Sequence, residues 1–254
     1  MRAALDELPT RAEREPVVGA GLGGDDTTAV DAAAELAIVA RLEALHARGS
    51  SFTLVSEELG ERAFGSGPTT IVVDPIDGSN NAKRGIPFFS FALAVAEGDT
   101  MGDVVFGFVH DFGTGEEWTA TKGGGAFLNG APLGSQRPKD RLEILSFEAT
   151  ETETLVEKAG AMVGVAERLR VMGSLALSLC YLADGRLDGV CSLRGTRAVD
   201  IAAAQLLVRE RGLAIDLPEA PPFEAAPLDN EKRSRVVAAG TPELCARLAA
   251  ALSA

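Results

Sequence analysis

The chain has 254 residues, of which 46% are hydrophobic and 24% are charged, as is usual for a globular protein that can bury a sizeable core. Its net charge of −13 argues against nucleic acid or an anionic membrane as the main partner, and no apolar run approaches the ~18 residues that span a bilayer. Two histidines and three widely spaced cysteines exclude a histidine-rich metal site and make disulfides unexpected, so we expect a cytoplasmic location.

A glycine-rich segment at residues 19–28 precedes the first long helical pattern. Its first six letters, GAGLGG, satisfy the G-x-G-x-x-G pattern of dinucleotide-binding proteins. Asp25 and Asp26 follow at once, and two carboxylates there would repel a pyrophosphate, so a dinucleotide oxidoreductase is disfavoured. Apolar residues then recur at helical spacing, which predicts a helix with Thr27 or Thr28 as its N-cap.

Short apolar runs then predict strands. FTLV (52–55) is one, and a second run ends at Asp74, where Pro75 is expected to turn the chain. Three consecutive antiparallel strands follow, in FFSFALAVAEG, DVVFGFVHD and EEWTATKGGGAFLNG. From about residue 140, strands (LEILSF, RLDGVCSL) alternate with helices (TETLVEKAGAMVG, GSLALSLCYLADG, DIAAAQLLVRERG, TPELCARLAAAL), with Asp200 and Thr241 as expected N-caps. This mixture predicts layered α/β or α+β packing.

Two aspartates share one short turn at the end of the second strand. Asp74 and Asp77 are separated only by Pro75 and Ile76 and are followed by glycine and serine. Two carboxylates ~4 Å apart repel by roughly 4 kcal/mol at an effective dielectric of ~20. A purely structural turn does not need the second aspartate, so we expect a cation between them, and with so few histidines this would be a hard ion held by oxygen.

The combination of motifs resembles the inositol monophosphatase family. This is the lithium-sensitive, Mg²⁺-dependent sugar-phosphatase superfamily, which also contains fructose-1,6-bisphosphatases. The matching stretches are TAVD (28–31), VSEELG (55–60), VVDPIDGSNNAKRGIPFFSFALAVAEG (72–98), KGGGAFLNG (122–130), VMGSLALSLCYLADGRLDG (171–189) and VDIAAAQLLVRERG (199–212). They cover nearly the whole chain in family order.

The resemblance implies a fold and an assembly. The fold is an α/β (α+β) protein, a layered α-β-α-β-α sandwich with metals at the seam of two halves. The expected division is an N-terminal α+β half over residues 1–139, with the metal-binding loops, and a C-terminal α/β half over residues 140–254. A homodimer is expected, although few residues precede the glycine-rich segment compared with other members.

The resemblance also implies roles for individual residues. Two to three Mg²⁺ ions, for which Mn²⁺ could substitute, are expected on the carboxylates of Glu57, Asp74, Asp77 and Asp200 and on the Ile76 carbonyl. Glu58 is expected to orient these ligands rather than to bind the ions directly. Asp31 and Ser79, together with Glu57, are expected to position a metal-activated water for in-line attack on phosphorus. Asp77, Gly78 and Ser79 would hold the phosphate.

The substrate is expected to be a small sugar or polyol phosphate. Arg194 and Arg197 lie near a helix N-terminus, where the dipole disfavours them, and Arg170 is a third basic candidate; each could meet a second phosphate or a hydroxyl group, or form an ordinary surface ion pair. The sequence pattern of this segment resembles that of archaeal enzymes that hydrolyse both inositol-1-phosphate and fructose-1,6-bisphosphate.

Three alternatives remain beside this reading. Within the superfamily, the chain could hydrolyse 3′-phosphoadenosine 5′-phosphate or NADP. Outside it, the chain could be a non-catalytic module that binds metal or sugar phosphate, although all four acidic positions are intact. A haloacid-dehalogenase-type phosphatase is disfavoured, because its D-x-D motif places the two aspartates one residue closer than Asp74 and Asp77.

Overall fold

The computed structural model describes residues 2–21, 26–134, 139–148, 151–220, 222–231 and 233–253. Its helices are α1 (Arg2–Asp6), α2 (Arg11–Arg14), α3 (Ala29–His46), α4 (Ser79–Arg84), α5 (Thr152–Ala159), α6 (Leu175–Ala183), α7 (Ala198–Glu210) and α8 (Pro242–Ser253). Its strands are β1 (Val17–Ala20), β2 (Asp26–Thr28), β3 (Phe52–Ser56), β4 (Gly60–Phe64), β5 (Thr69–Asp77), β6 (Ser90–Glu97), β7 (Val104–Asp111), β8 (Glu117–Thr121), β9 (Gly125–Leu128), β10 (Ala131–Pro132), β11 (Leu142–Glu148), β12 (Ala166–Arg170), β13 (Gly189–Ser192), β14 (Ala214–Asp216) and β15 (Val237–Ala239).

The larger sheet contains eight strands in the order β10-β9-β8-β7-β6-β5-β3-β4. Neighbouring strands are antiparallel except for β3 and β5, which run parallel. The predicted antiparallel arrangement of the three stretches that form β6 to β9 is therefore confirmed, although the third stretch forms two strands, β8 and β9, rather than one. Alternate residues of β5 enter different apolar clusters: Ile71 and Val73 pack with Leu42 of α3, whereas Val72 packs with α6 and α7 on the opposite face. Burial on both faces explains why this strand is continuously apolar.

The smaller sheet contains five strands in the order β12-β11-β13-β15-β14. Val190 of β13 packs toward α6 and α7, whereas the next residue, Cys191, packs with Leu244 and Leu248 of α8. Helices α6 and α7 thus lie between the two sheets, with α3 and α8 on the outer faces. This order of layers confirms the predicted α-β-α-β-α sandwich.

Helix α7 lies very close to the larger sheet. A Cβ atom on Gly107 of β7 would collide with the carbonyl oxygen of Ala203, so only glycine opposite a run of alanines permits this approach. The strands of the larger sheet all precede residue 139 and those of the smaller sheet all follow it. The division into halves at residues 139 and 140 stays a prediction.

Several local predictions need correction. The strand at Asp74 does not stop there: β5 continues through Pro75 to Asp77, because a bulge between Asp74 and Asp77 removes the need for a proline N–H in the ladder. The N-cap of α7 is Arg197, and Asp200 is its third residue. The predicted helix over residues 152–164 ends at Ala159 and continues as one 3-10 turn.

Other local predictions are confirmed. Thr28 is the N-cap of α3, and the Leu244 N–H donates to the Thr241 hydroxyl at the start of α8. Residues 19 and 20 of the glycine-rich segment belong to β1, while residues 22–25 lie outside the described residues. None of the helices in the described ranges is both long and apolar enough to cross a membrane.

Candidate active site

Two acidic segments lie side by side because β3 and β5 are parallel neighbours. Ser56, the last residue of β3, is paired with Val73 of β5. The residues that follow, Glu57 and Asp74, therefore lie at the same edge of the larger sheet. The carboxyl-terminal edge of these two strands is the centre of the candidate site.

Asp74 is the most deeply buried of the acidic residues at this edge. Asp74 is 2% exposed, and its Oδ1 accepts a hydrogen bond of 2.9 Å from the Ile76 N–H across the bulge. Burial raises the pKa of this carboxyl well above its usual range, and the nearby carboxylates of Glu57, Asp77 and Asp200 raise it further. Four carboxylates therefore lie close enough to repel one another.

Asp77 points at the first turn of α6, in the other half of the sequence. Its Oδ2 accepts a hydrogen bond of 2.7 Å from the Ala176 N–H and another from the Ser174 hydroxyl, and its Oδ1 accepts one of 3.3 Å from the Leu175 N–H. Burial nevertheless raises the pKa of Asp77 to about 7, against the lowering effect of these donors. A helix N-terminus from one half thus holds an aspartate from the other half.

Glu57 and Asp200 are joined by Arg197. One guanidinium nitrogen of Arg197, Nη2, donates to Glu57 Oε1 at 2.6 Å and to Asp200 Oδ1 at 3.1 Å. The Arg197 N–H also donates to Asp200 Oδ2 at 2.7 Å, which closes the first turn of α7. Burial raises the pKa of Glu57 to about 7, although Arg197 acts in the opposite direction.

The start of α3 lies against the same edge. Asp31 is 4% exposed; its Oδ2 accepts hydrogen bonds from the Thr28 N–H and hydroxyl, and its buried Oδ1 has no hydrogen-bond partner among the described residues. The Thr27 hydroxyl donates to Glu58, which links this helix start to the turn after β3. The structure thus brings Asp31 and Glu58 to the edge that bears Glu57 and Asp74.

The turn after β5 leads directly into α4. Gly78 is the N-cap with φ of 95°, and a Cβ atom there would lie 2.9 Å from the Gly173 carbonyl oxygen. The Ser79 hydroxyl donates to the Ile76 carbonyl at 3.1 Å. Glycine is required at this position both by the backbone angle and by the loop before α6.

The three predicted arginines differ in their surroundings. Arg170 ends β12 and is exposed; its Nη1 donates to the carbonyl of the preceding residue. Arg194 follows β13, and its half-exposed side chain pairs with Glu151. Both strands are parallel neighbours of β11, so these two arginines lie at one edge of the smaller sheet. Arg197 instead turns inward to the acidic residues.

Two glutamates near this edge, the buried Glu35 and the partly buried Glu148, were missed by the sequence reasoning. Glu35 accepts a 2.8 Å hydrogen bond from the Ser56 hydroxyl, and it could have been found from its position one helical turn after Asp31. Glu148, at the end of β11, accepts a 2.9 Å hydrogen bond from the Gly173 N–H and one of 2.8 Å from the Ser178 hydroxyl. Apart from the Ser146 hydroxyl, the hydrogen-bond partners of Glu148 come later in the chain, so no local sequence signal marks it.

The donor set at this edge suits a hard divalent cation. Four carboxylates lie here, those of Glu57, Asp74, Asp77 and Asp200. The guanidinium of Arg197 pairs with two of them, Glu57 and Asp200. The buried Asp31 Oδ1 is a further oxygen that has no partner among the described residues. As they stand, no three Asp, Glu, His or Cys side chains of the described ranges surround one point closely enough to hold a metal ion. The side chains therefore fit a metal by their chemistry and charge, while Arg197 pairs with two of them in this arrangement.

A five-layer sandwich with an acidic sheet edge facing a helix N-terminus defines the class of sugar-phosphatase-type α/β proteins. The sequence profile of the inositol monophosphatase family matches residues 4–254, and the chain belongs to this family. It is 36% identical to a fructose-1,6-bisphosphatase/inositol-1-monophosphatase of Methanothermobacter thermautotrophicus, over 95% of this chain and 88% of that protein.

Two further relatives are a solved structure and a bacterial protein. A solved structure of an inositol monophosphatase–fructose 1,6-bisphosphatase superposes with a TM-score of 0.80 at 29% identity, over 98% of this chain and 95% of the other. Nus factor SuhB of Escherichia coli is 34% identical over 74% of this chain and 70% of that protein. The predicted family and fold are thus confirmed.

Proposed function

We propose that the protein is a Mg²⁺-dependent phosphomonoesterase that hydrolyses a small sugar or polyol phosphate, inositol-1-phosphate, fructose-1,6-bisphosphate or both. The observation that carries this proposal is the convergence of Glu57, Asp74, Asp77 and Asp200, from three separate segments, on one buried edge that faces the N-terminus of α6. Such a group of carboxylates is costly to bury unless it binds cations.

The proposed metal ligands are Glu57, Asp74, Asp77, Asp200 and the Ile76 carbonyl, for two to three Mg²⁺ ions or Mn²⁺ in their place. When bound, the ions would supply Lewis acidity toward the phosphate oxygens and the attacking water. Glu58 would hold the turn after β3 in place through its contact with Thr27.

Other residues of this edge would bind and orient the reactants. The N–H groups at the start of α4, from Gly78 and Ser79, have no partner within the helix and would donate to a phosphate oxygen. The Asp31 carboxylate and the Ser79 hydroxyl would together orient the attacking water. The carboxylate can accept a proton from the water, and the hydroxyl can donate a hydrogen bond to a lone pair of the water oxygen.

The edge of the smaller sheet would bind the rest of the substrate. Arg170 ends β12 and Arg194 follows β13, the two strands that flank β11. Their guanidinium groups would pair with the second phosphate of fructose-1,6-bisphosphate. If so, Arg170→Gln and Arg194→Gln should raise KM for the bisphosphate more than KM for inositol-1-phosphate.

The first test is Asp77→Asn. Loss of this carboxylate should lower kcat by at least about 100-fold in saturating Mg²⁺, because an amide oxygen is a poor ligand for a hard cation. The matched control is Asp188→Asn: Asp188 likewise accepts backbone N–H groups, those of Glu143 and Ile144, but lies outside the site. Full Mg²⁺-dependent activity in Asp77→Asn would refute the assignment.

A substrate panel separates the alternatives. Hydrolysis of inositol-1-phosphate, fructose-1,6-bisphosphate, 3′-phosphoadenosine 5′-phosphate and NADP should be compared at equal Mg²⁺, with and without lithium. Preference for either nucleotide would favour the nucleotide-phosphatase alternative. Binding without turnover of any substrate would favour a non-catalytic module. Light scattering tests the proposed homodimer.

A further inference from the structure

Arg197 is a buried cation inside the acidic cluster. The residue is 7% exposed, and its guanidinium reaches carboxylates from two different segments: Glu57, in the turn after β3, and Asp200, in the first turn of α7. Glu57 lies 140 residues before it in the sequence. The contact is therefore a product of the whole fold, and it joins two of the residues that are proposed to bind metal.

The position of Arg197 is unfavourable unless these carboxylates compensate for it. It is the N-cap residue of α7, where the helix dipole disfavours a positive charge. A guanidinium stays charged at all relevant pH values, and its burial is tolerated only where it is hydrogen-bonded to acids. The burial of Arg197 thus depends on Glu57 and Asp200 remaining available to it.

A divalent cation and the Arg197 guanidinium would compete for the same oxygens. Glu57 Oε1 and Asp200 Oδ1 are the two atoms that Nη2 contacts, and both carboxylates are proposed metal ligands. Two positive charges a few ångströms apart in a buried site repel strongly. A cation that binds Glu57 Oε1 or Asp200 Oδ1 therefore requires the guanidinium to leave that oxygen.

We infer that Arg197 is an internal counter-ion of the metal site, which balances part of the negative charge of Glu57 and Asp200 in the metal-free protein and is displaced from at least one of them when a divalent cation takes the oxygens that it contacts. The inference rests on the proposed function, since it assumes that these carboxylates bind metal. The inference goes beyond the proposed function by assigning Arg197 a counter-ion role that opposes metal binding and keeps the metal-free site stable.

The alternative role is opposite in sign. If Arg197 only holds Glu57 and Asp200 in the geometry that the metal needs, its removal should weaken metal binding. If it is a competing counter-ion, its removal should strengthen metal binding and destabilise only the metal-free protein. The direction of the change in metal affinity therefore decides between the two roles.

The experiment is calorimetric titration of the chelator-treated full chain with MnCl₂ and with MgCl₂, in the absence of substrate. Arg197→Gln should bind the cation about tenfold more tightly than the wild type or better, because two charge-assisted hydrogen bonds no longer compete. Its metal-free melting temperature should fall by several degrees, and saturating Mn²⁺ should remove most of that difference. The control is Arg209→Gln, which removes an arginine paired with Glu224 from the other end of the same helix and should leave metal affinity unchanged.

The remaining outcomes are equally decisive. Unchanged or weaker metal affinity in Arg197→Gln overturns the counter-ion role while leaving the proposed function intact. Failure of the wild type to bind either cation overturns both. If Arg197→Gln folds only in the presence of Mn²⁺, the counter-ion role is supported. If this variant does not fold at all, the test uses Arg197→Lys, which keeps the charge without the planar guanidinium. Arg197→Lys is expected to bind metal more tightly than the wild type.

Discussion

Glu35 lies directly behind the turn that bears Glu57 and Glu58. Its Oε2 accepts the Ser56 hydroxyl, while its buried Oε1 has no hydrogen-bond partner among the described residues. Burial raises the pKa of Glu35 above its usual value, and the charge of Glu58 adds to this effect. The folded protein therefore binds a proton here more tightly than the unfolded chain does.

This shift predicts a pH dependence of stability. Because the folded pKa is raised, the contribution of Glu35 is most favourable below about pH 4.5 and is lost as the pH rises through the folded pKa. Glu35→Gln removes the titration, so the free energy of unfolding should decline less steeply as the pH rises above about 4.5 than in the wild type. Urea unfolding at several pH values measures both slopes, with the exposed Glu43→Gln on the same helix as the control. Parallel slopes would contradict the prediction.

Gly78 is constrained by its backbone angle and by its neighbours together. In Gly78→Ala, the left-handed φ of 95° and the contacts of the new Cβ with the carbonyls of Gly173 and Phe88 should lower the free energy of unfolding by about 2–4 kcal/mol. Gly85→Ala has a similar φ of 71° with no atom within 4 Å of the Cβ, so it should lose only about 1 kcal/mol. Equal losses by denaturant unfolding would show that the close approach is unimportant.

At the level of elements, the loop before α6 connects the two sheets at the site. Glu148, at the end of β11, accepts the Met172 and Gly173 N–H groups. The Asn81 side chain of α4 donates to the Met172 carbonyl at 2.9 Å. This loop therefore fixes the N-terminus of α6 relative to the turn after β5, and Asp77 is positioned between them.

Removing the charge of Glu148 should loosen this connection. Glu148→Gln replaces one accepting oxygen by a donor, so a Met172 or Gly173 N–H loses its partner and the α6 N-terminus holds Asp77 less firmly. We expect kcat/KM to fall about tenfold, with kcat more affected than KM. The control is Glu210→Gln, since Glu210 also accepts two backbone N–H groups, those of Gly123 and Gly125, at a distant hairpin. A loss of stability without any kinetic change in Glu148→Gln would contradict the positioning role.

The elements that were predicted from the sequence are those with strong local patterns. Helix α3 and strands β6 to β9 have clear periodicity, and burial in the structure follows it. Strand β12 was missed because Ala166–Arg170 is a charged edge strand whose structure depends on pairing with β11. The continuation of β5 through Pro75 depends on a bulge, which is a property of the pairing with β6 rather than of the sequence around the proline.

The acidic residues of the candidate site could be named from the sequence because their motifs resemble a family, but their contacts could not. Arg197 was predicted either to face the substrate or to form a surface ion pair; in the structure it pairs with Glu57, 140 residues away and in the interior, and its role toward substrate stays a prediction. The hydrogen bonds from α6 to Asp77 likewise join distant segments. Local patterns contain no information on such contacts, which are set by how the two sheets pack on α6 and α7.

For the whole molecule, the uncompensated charge of the site predicts stabilisation by metal. If Mg²⁺ binds only the folded protein, a concentration about 100 times its Kd adds about 2.7 kcal/mol, which raises Tm by roughly 5–10 °C for a chain of this size. Differential scanning calorimetry with Mg²⁺ and then with excess chelator measures the shift, and KCl at matched ionic strength controls for general screening of the −13 net charge. Asp74→Asn should show a much smaller shift. An unchanged Tm in Mg²⁺ would contradict metal binding at this edge.

The long sequence separation of the site contacts has a consequence for synthesis on the ribosome. The partners of Asp77 and Glu57 are made 99 and 140 residues after them. A nascent chain that has completed its large sheet therefore still lacks Ser174, Leu175, Ala176 and Arg197, which contact these two acids in the folded protein. If Asp200 binds metal as proposed, chains that end before it should have no phosphatase activity.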